Sequence, residues 1–140
     1  MGRMSENLAI LGAYSAAMER GDREAVFEYW APEFHSHVTE RVNPAMVGAD
    51  IRGQEVEWWT QAHNAFPDMV FTVDLLIESD DLIVSNWSVR GTHTGTAFYD
   101  VEPTGEPVNI NGTAILRMRD GKIVEHWGGP HCQKGLGLNH

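Results

Sequence analysis

Past Pro67 the chain changes its hydrophobic period. The stretch "MVFTVDLLI" (69–77) alternates strictly, with Met69, Phe71, Val73, Leu75 and Ile77 on one face, and an Asp80-Asp81 turn leads into "LIVSNWSVRGTHTG". A period of two over this length predicts strands with one buried face. Gly and Pro around "VEPTGEP" mark a loop, and "VNINGTAILRM" (108–118) reads as a further strand. Asp120-Gly121 then makes a tight hairpin into "GKIVEHWGGPH" (121–131). The second half is a run of long antiparallel strands whose apolar face must be covered.

The first half supplies the cover. From Ser5, an N-cap residue type, Ile10, Leu11, Tyr14 and Met18 recur at near-helical spacing and predict an amphipathic helix stopping around Gly21. Asp22 caps a second, roughly 23 to 30, that carries Val26, Phe27, Tyr29 and Trp30 and ends before Pro32. "EFHSHV" (33–38) alternates as a short strand with His35 and His37 on one face. A third helix starts near Gly53 and sets Val56, Trp59, His63 and Phe66 on one side before Pro67. Helices first and strands last argue an α+β fold, the helices packed on the concave face of a curved antiparallel sheet with a pocket between. A length of 140 residues without repeats or linkers suits a single domain over 1–140.

Twenty acidic residues against ten basic give a formal charge of −10, which repels nucleic-acid phosphates and anionic membranes. The basic residues are spread singly, so neither partner is expected, and the ligand expected is a small, hydrophobic molecule. Cys132 is the only cysteine, which excludes an intrachain disulfide. The N-terminus reads as a helix start rather than a signal peptide, so a cytoplasmic protein is expected. Asn86-Trp87-Ser88 and Asn111-Gly112-Thr113 fall inside predicted strands and read as chance glycosylation triplets.

Phe66-Pro67-Asp68, Gly91-Thr92-His93-Thr94-Gly95, Pro103-Thr104-Gly105 and Gly121-Lys122-Ile123-Val124-Glu125 with Trp127, in this order, resemble the SnoaL-like polyketide cyclases of the nuclear-transport-factor and ketosteroid-isomerase-like superfamily. The resemblance covers about residues 5 to 131. It implies a cone-shaped α+β barrel with an apolar cavity, a homodimer, and cofactor-independent chemistry on polycyclic carbonyl compounds. In that pattern an aspartate, the acid/base of an aldol closure, follows the tryptophan by four residues. Here the position holds His131.

His131, with an ordinary imidazole pKa near 6.5, is therefore the candidate base. Arg90 or the Tyr14 hydroxyl would stabilise an enolate oxygen. Trp127, Trp87 and Phe71 are expected as apolar walls, with Trp59, His63, His37 and His93 around them. Glycines flank the His93 segment, so that imidazole could equally bond backbone. The Gly128-Gly129 pair suggests a bulge, which would alter the facing of His131. His35 and His37 could give two metal ligands with His93 or His131 as a third. Only the first pair is local, so no metal is expected. The leading reading is intramolecular aldol cyclisation of an aromatic polyketide. The alternatives are a hydroxylase using substrate-activated oxygen, an isomerase, and a binding module without turnover.

Overall fold

A computed structural model describes the backbone of residues 5–42 and 44–134, and their side chains except at 39, 41, 42 and 130–134. Helix α1 spans Glu6–Glu19, capped by the Ser5 hydroxyl accepting from the Leu8 amide at 3.1 Å. It ends where Gly21 turns to φ 73°, and Asp22 caps α2 (Arg23–Glu28) by accepting from the Ala25 amide. Both caps satisfy amides that a helix start leaves without partners. The second helix stops two residues short of the expected 30, because Trp30 already begins strand β1 (Trp30–Ser36). That strand tolerates Pro32 because it lies at a sheet edge and its pairing is irregular between Trp30 and His35. A short helix α3 (His37–Val42), not expected from the sequence, follows directly, and α4 covers Arg52–Ala65.

Strands β2 (Val70–Ser79), β3 (Leu82–Thr92), β4 (Pro107–Arg119) and β5 (Lys122–Lys134) form an antiparallel meander. The turn into β5 places Asp120 and Gly121 at φ 51° and 76°, the left-handed pair that matches strand twist in a two-residue hairpin. The full order is β1-β5-β4-β3-β2, and β1 joins β5 in parallel, so the expected all-antiparallel sheet carries one parallel edge.

Two register shifts redirect side chains. Val73 pairs with Trp87 but Leu75 with Asn86, leaving Asp74 extra in β2. Met118 pairs with Ile123 but Arg117 with Glu125, leaving Val124 extra in β5. An extra residue inverts the alternation beyond it. The apolar residues expected on one face therefore do not share it: Phe71 and Val73 look inward, joined beyond the shift by Leu76, while Leu75 and Ile77 are 54% and 51% exposed.

The helices cover the concave side. One core cluster joins Leu11, Tyr14 and Met18 of α1 to Trp30, Phe34, Ile83, Leu116 and Ile123. A second joins Ala62, Ala65 and Phe66 to Trp87, Val89, Phe98 and Ile110. Each large apolar side chain buried here contributes about 1.5–3 kcal/mol by leaving water. No helix among the described residues is long and apolar enough to cross a membrane.

Candidate active site

Between α1, α4 and the sheet lies a cavity of about 1000 Å³. Helix α1 contributes Leu8, Leu11, Tyr14 and Met18, spaced to fall on one face, and α4 contributes Glu55, Trp58 and Trp59, one turn apart. The sheet contributes Phe71, Trp87, Leu116 and His126 among others, and Tyr99 stands at the rim. The aromatic wall interlocks by edge and tilted contacts: Trp59 meets Phe71 edge-on at 5.2 Å and Trp87 tilted at 5.5 Å between ring centroids, and Trp58 meets Trp59 edge-on at 4.6 Å.

Polar groups interrupt this apolar lining, Glu55, Tyr14 and His126 among them. Glu55 is half-buried against the aromatic wall, and burial pushes its carboxyl up to about 7. The Tyr14 ring is buried between Tyr29 and Trp30, and its hydroxyl is held well above its ordinary pKa, first by burial and then by the Glu55 charge. His126 lies within 3.4 Å of the Ser36 hydroxyl and edge-on to Trp30. Burial and the neighbouring His37 push it down to about 4, leaving a neutral imidazole at physiological pH. A carboxyl near 7 beside a protonated phenol can exchange a proton with a carbon acid and donate a hydrogen bond to the oxygen that gains charge.

Of the residues singled out in the sequence, Tyr14, Trp59, Trp87 and Phe71 meet in this cavity. Trp127 does not. The extra residue at Val124 leaves Ile123 in the core but turns Glu125 and Trp127 to the opposite face and aims His126 inward. His37 follows Trp127, stacked on its indole at 4.5 Å with planes 7° apart, and bonds Glu125 at 2.6 Å. Arg90 is exposed and alternates away from Trp87 and Val89; the arginine that pairs with Glu125 is Arg117, at 2.8 Å.

His93 is fully buried against Phe66, with Nε2 at 2.9 Å from the Thr96 carbonyl, outside the cavity. His63 flanks a small cleft of about 50 Å³ beside Gly21. The backbone of His131 is the extra residue between the Gly112–Pro130 and Asn111–Cys132 pairs, so the ladder is irregular there, and its side chain lies outside the described residues.

Glu55 and His126 were missed in the sequence. Glu55 stands three and four residues before Trp58 and Trp59, and a carboxylate at helical spacing within an aromatic stripe was the available signal. Nothing local marked His126, whose direction depends on the shift at Val124.

Comparisons with known proteins agree with this fold. The family model of the SnoaL-like polyketide cyclases matches residues 8–131. IdmH of Streptomyces antibioticus, provisionally assigned as a polyketide cyclase, is 30% identical over 90% of this chain and 92% of its own, with a TM-score of 0.71. AclR of Streptomyces galilaeus, provisionally assigned as a hydroxylase, is 26% identical over 92% of this chain and 77% of its own, with a TM-score of 0.74. TsrD of Streptomyces laurentii shares the fold at 18% identity and a TM-score of 0.74, covering 93% of this chain and 91% of its own. Among functionally curated proteins none matches significantly. With a family model spanning nearly its whole length, the chain belongs to the SnoaL-like polyketide cyclase family.

Proposed function

We propose that the cavity performs acid/base chemistry on a polycyclic aromatic polyketide or similar carbonyl compound, by intramolecular aldol cyclisation. The observation that carries this reading is the Glu55 carboxyl, set in an apolar chamber of about 1000 Å³ beside Tyr14 and poised at about 7. The chamber suits a fused-ring substrate rather than a small metabolite.

In this reading the Glu55 carboxylate takes a proton from the carbon α to a carbonyl. The Tyr14 hydroxyl, which stays protonated at neutral pH, donates to the enolate oxygen. The enolate carbon attacks a second carbonyl of the same molecule, a carbon–carbon bond forms, and the new alkoxide recovers the proton from Glu55. No electrons leave the substrate. The aromatic walls exclude water, which would quench the enolate, and hold the chain folded so that one pair of carbons meets.

The similarity to AclR favours a second reading, hydroxylation by substrate-activated oxygen. Incubation of the protein with a panel of aromatic polyketones under oxygen-18 separates the two. Cyclisation gives a product isomeric with the substrate, or lighter by water, and free of label, with one deuterium lost from a substrate deuterated at the reacting α carbon. Labelled oxygen in the product would replace cyclisation with hydroxylation. A cytoplasmic homodimer belongs to the same proposal, and the exposed apolar side chains of β2, Val70, Leu75 and Ile77, support the dimer.

A further inference from the structure

Across the sheet from the cavity, four side chains converge at the turn from β1 into α3. His35 is the last residue but one of β1, His37 and Glu40 belong to α3, and Glu125 comes from β5, where it is the register partner of His35. His35 Nδ1 lies 3.2 Å from Glu40 Oε1 and its Nε2 lies 3.4 Å from Glu125 Oε2, while His37 Nε2 lies 2.6 Å from the same Oε2. The two imidazoles are 4.9 Å apart between centroids. His35, His37 and Glu40 each offer a donor atom within 4.8 Å of the others.

We propose that His35, His37 and Glu40 bind a divalent transition-metal ion such as zinc. The donor set is two imidazole nitrogens and one carboxylate, the composition that zinc accepts with a fourth position left for water or a ligand oxygen. An ion with bonds of about 2.0–2.1 Å needs its ligand atoms about 3.3 Å apart. The donor atoms lie within 4.8 Å of one another, so binding requires side-chain rotations that draw them in to that spacing.

The surroundings hold the ligands. Glu125 keeps Oε1 on Arg117 Nε at 2.8 Å and turns Oε2 to both imidazoles, the arrangement by which an outer carboxylate fixes a histidine's tautomer and raises its basicity. Arg117 is itself held by Asp81 at 2.9 and 3.1 Å, which offsets its positive charge near the ion. The Trp127 indole, stacked on His37, restricts that ring. Binding would fix the corner between β1 and α3, and through Glu125 tie it to β5. The site is separate from Glu55 and the cavity chemistry.

The test is calorimetric titration of the tag-free, chelator-treated chain with zinc chloride, alongside thermal melting with and without zinc. The expected result is one equivalent bound and a Tm raised by roughly 5–10 °C at a hundredfold excess over Kd. His37→Ala and the double variant H35A/H37A should lose that equivalent, Glu40→Gln should weaken it at least tenfold, and Arg117→Met should weaken it about 10–100-fold by releasing Glu125. His63→Ala should bind as the parent does. The proposal is overturned if the parent binds no zinc, if H35A/H37A binds zinc as the parent does, or if His63→Ala removes the bound equivalent. Because the partly exposed histidines carry little of the core, far-ultraviolet circular dichroism should show each variant folded. Should H35A/H37A unfold, Glu40→Gln decides alone, and undiminished binding by it would overturn the proposal.

Discussion

The Trp87 indole lies directly over Gly112 of the neighbouring strand, its register partner, so close that a β-carbon on Gly112 would overlap the six-membered ring. Gly112 is thus a matter of space rather than of backbone angle. Trp87 in turn is a wall of the cavity and a contact of Trp58 and Trp59. Gly112→Ala should therefore destabilise the fold by about 1–3 kcal/mol, the range for overpacking. The cost should shrink when Trp87→Leu is added, because the two residues compete for one volume. Urea unfolding of the two single variants and the double variant checks this.

Glu55→Gln keeps size and removes the base. Turnover of a cyclisable polyketone should fall about 10²–10⁴-fold while substrate binding, followed by quenching of the cavity tryptophans, changes little. Equal losses in binding and turnover would make Glu55 a structural residue instead.

The dependence of the parent rate on pH should rise through about 7 and level off above it, because the free carboxylate is the active form. Stopped-flow rates between weakly acidic and weakly alkaline buffers measure it, and Glu55→Gln should flatten the profile.

Stability should move the other way. The Glu55 carboxyl is raised from an ordinary 4.5 to about 7, so the folded state holds its proton more tightly than the unfolded chain does. That contribution is complete below 4.5 and is lost as pH rises through about 7, on the order of 2–3 kcal/mol in all. Denaturation midpoints compared at the two ends of this window should show the loss in the parent and not in Glu55→Gln.

Tyr14→Phe removes the hydroxyl and leaves the ring packed on Tyr29 and Trp30. Turnover should drop about 10²–10³-fold, as for loss of one donor to a developing oxyanion. The cost to stability should be small, because the ring contacts survive. Steady-state kinetics and a melting curve on the same sample give both numbers.

Local chemistry made much of this architecture legible. Ser5 and Asp22 cap the helices expected of them, and Asp120-Gly121 forms its hairpin, because each of these choices is decided within a few residues. The strand faces were less legible. A bulge arises from how two distant strands settle against each other, and neither Asp74 nor Val124 carries a residue type that announces one. One inserted position in β5 exchanged Trp127 for His126 at the cavity wall. The α3 helix was hidden for a similar reason: "HVTERV" begins on an alternating stretch that runs on from β1 without a breaker. Glu55 was overlooked because an acid on an amphipathic helix normally faces water.

The parallel edge has a consequence for the order in which the molecule assembles and loosens. Strands β2 to β5 meet through successive hairpins, whereas β1 reaches β5 across a separation in sequence of 90 positions between Ser36 and His126. Contacts that close so large a loop form late and are first to yield, while hairpins persist. Amide exchange should accordingly be fastest in β1 and the helices beside it and slowest in the meander. The chamber would then open like a clasp hinged on its N-terminal side, releasing a rigid, bulky product without the sheet coming apart.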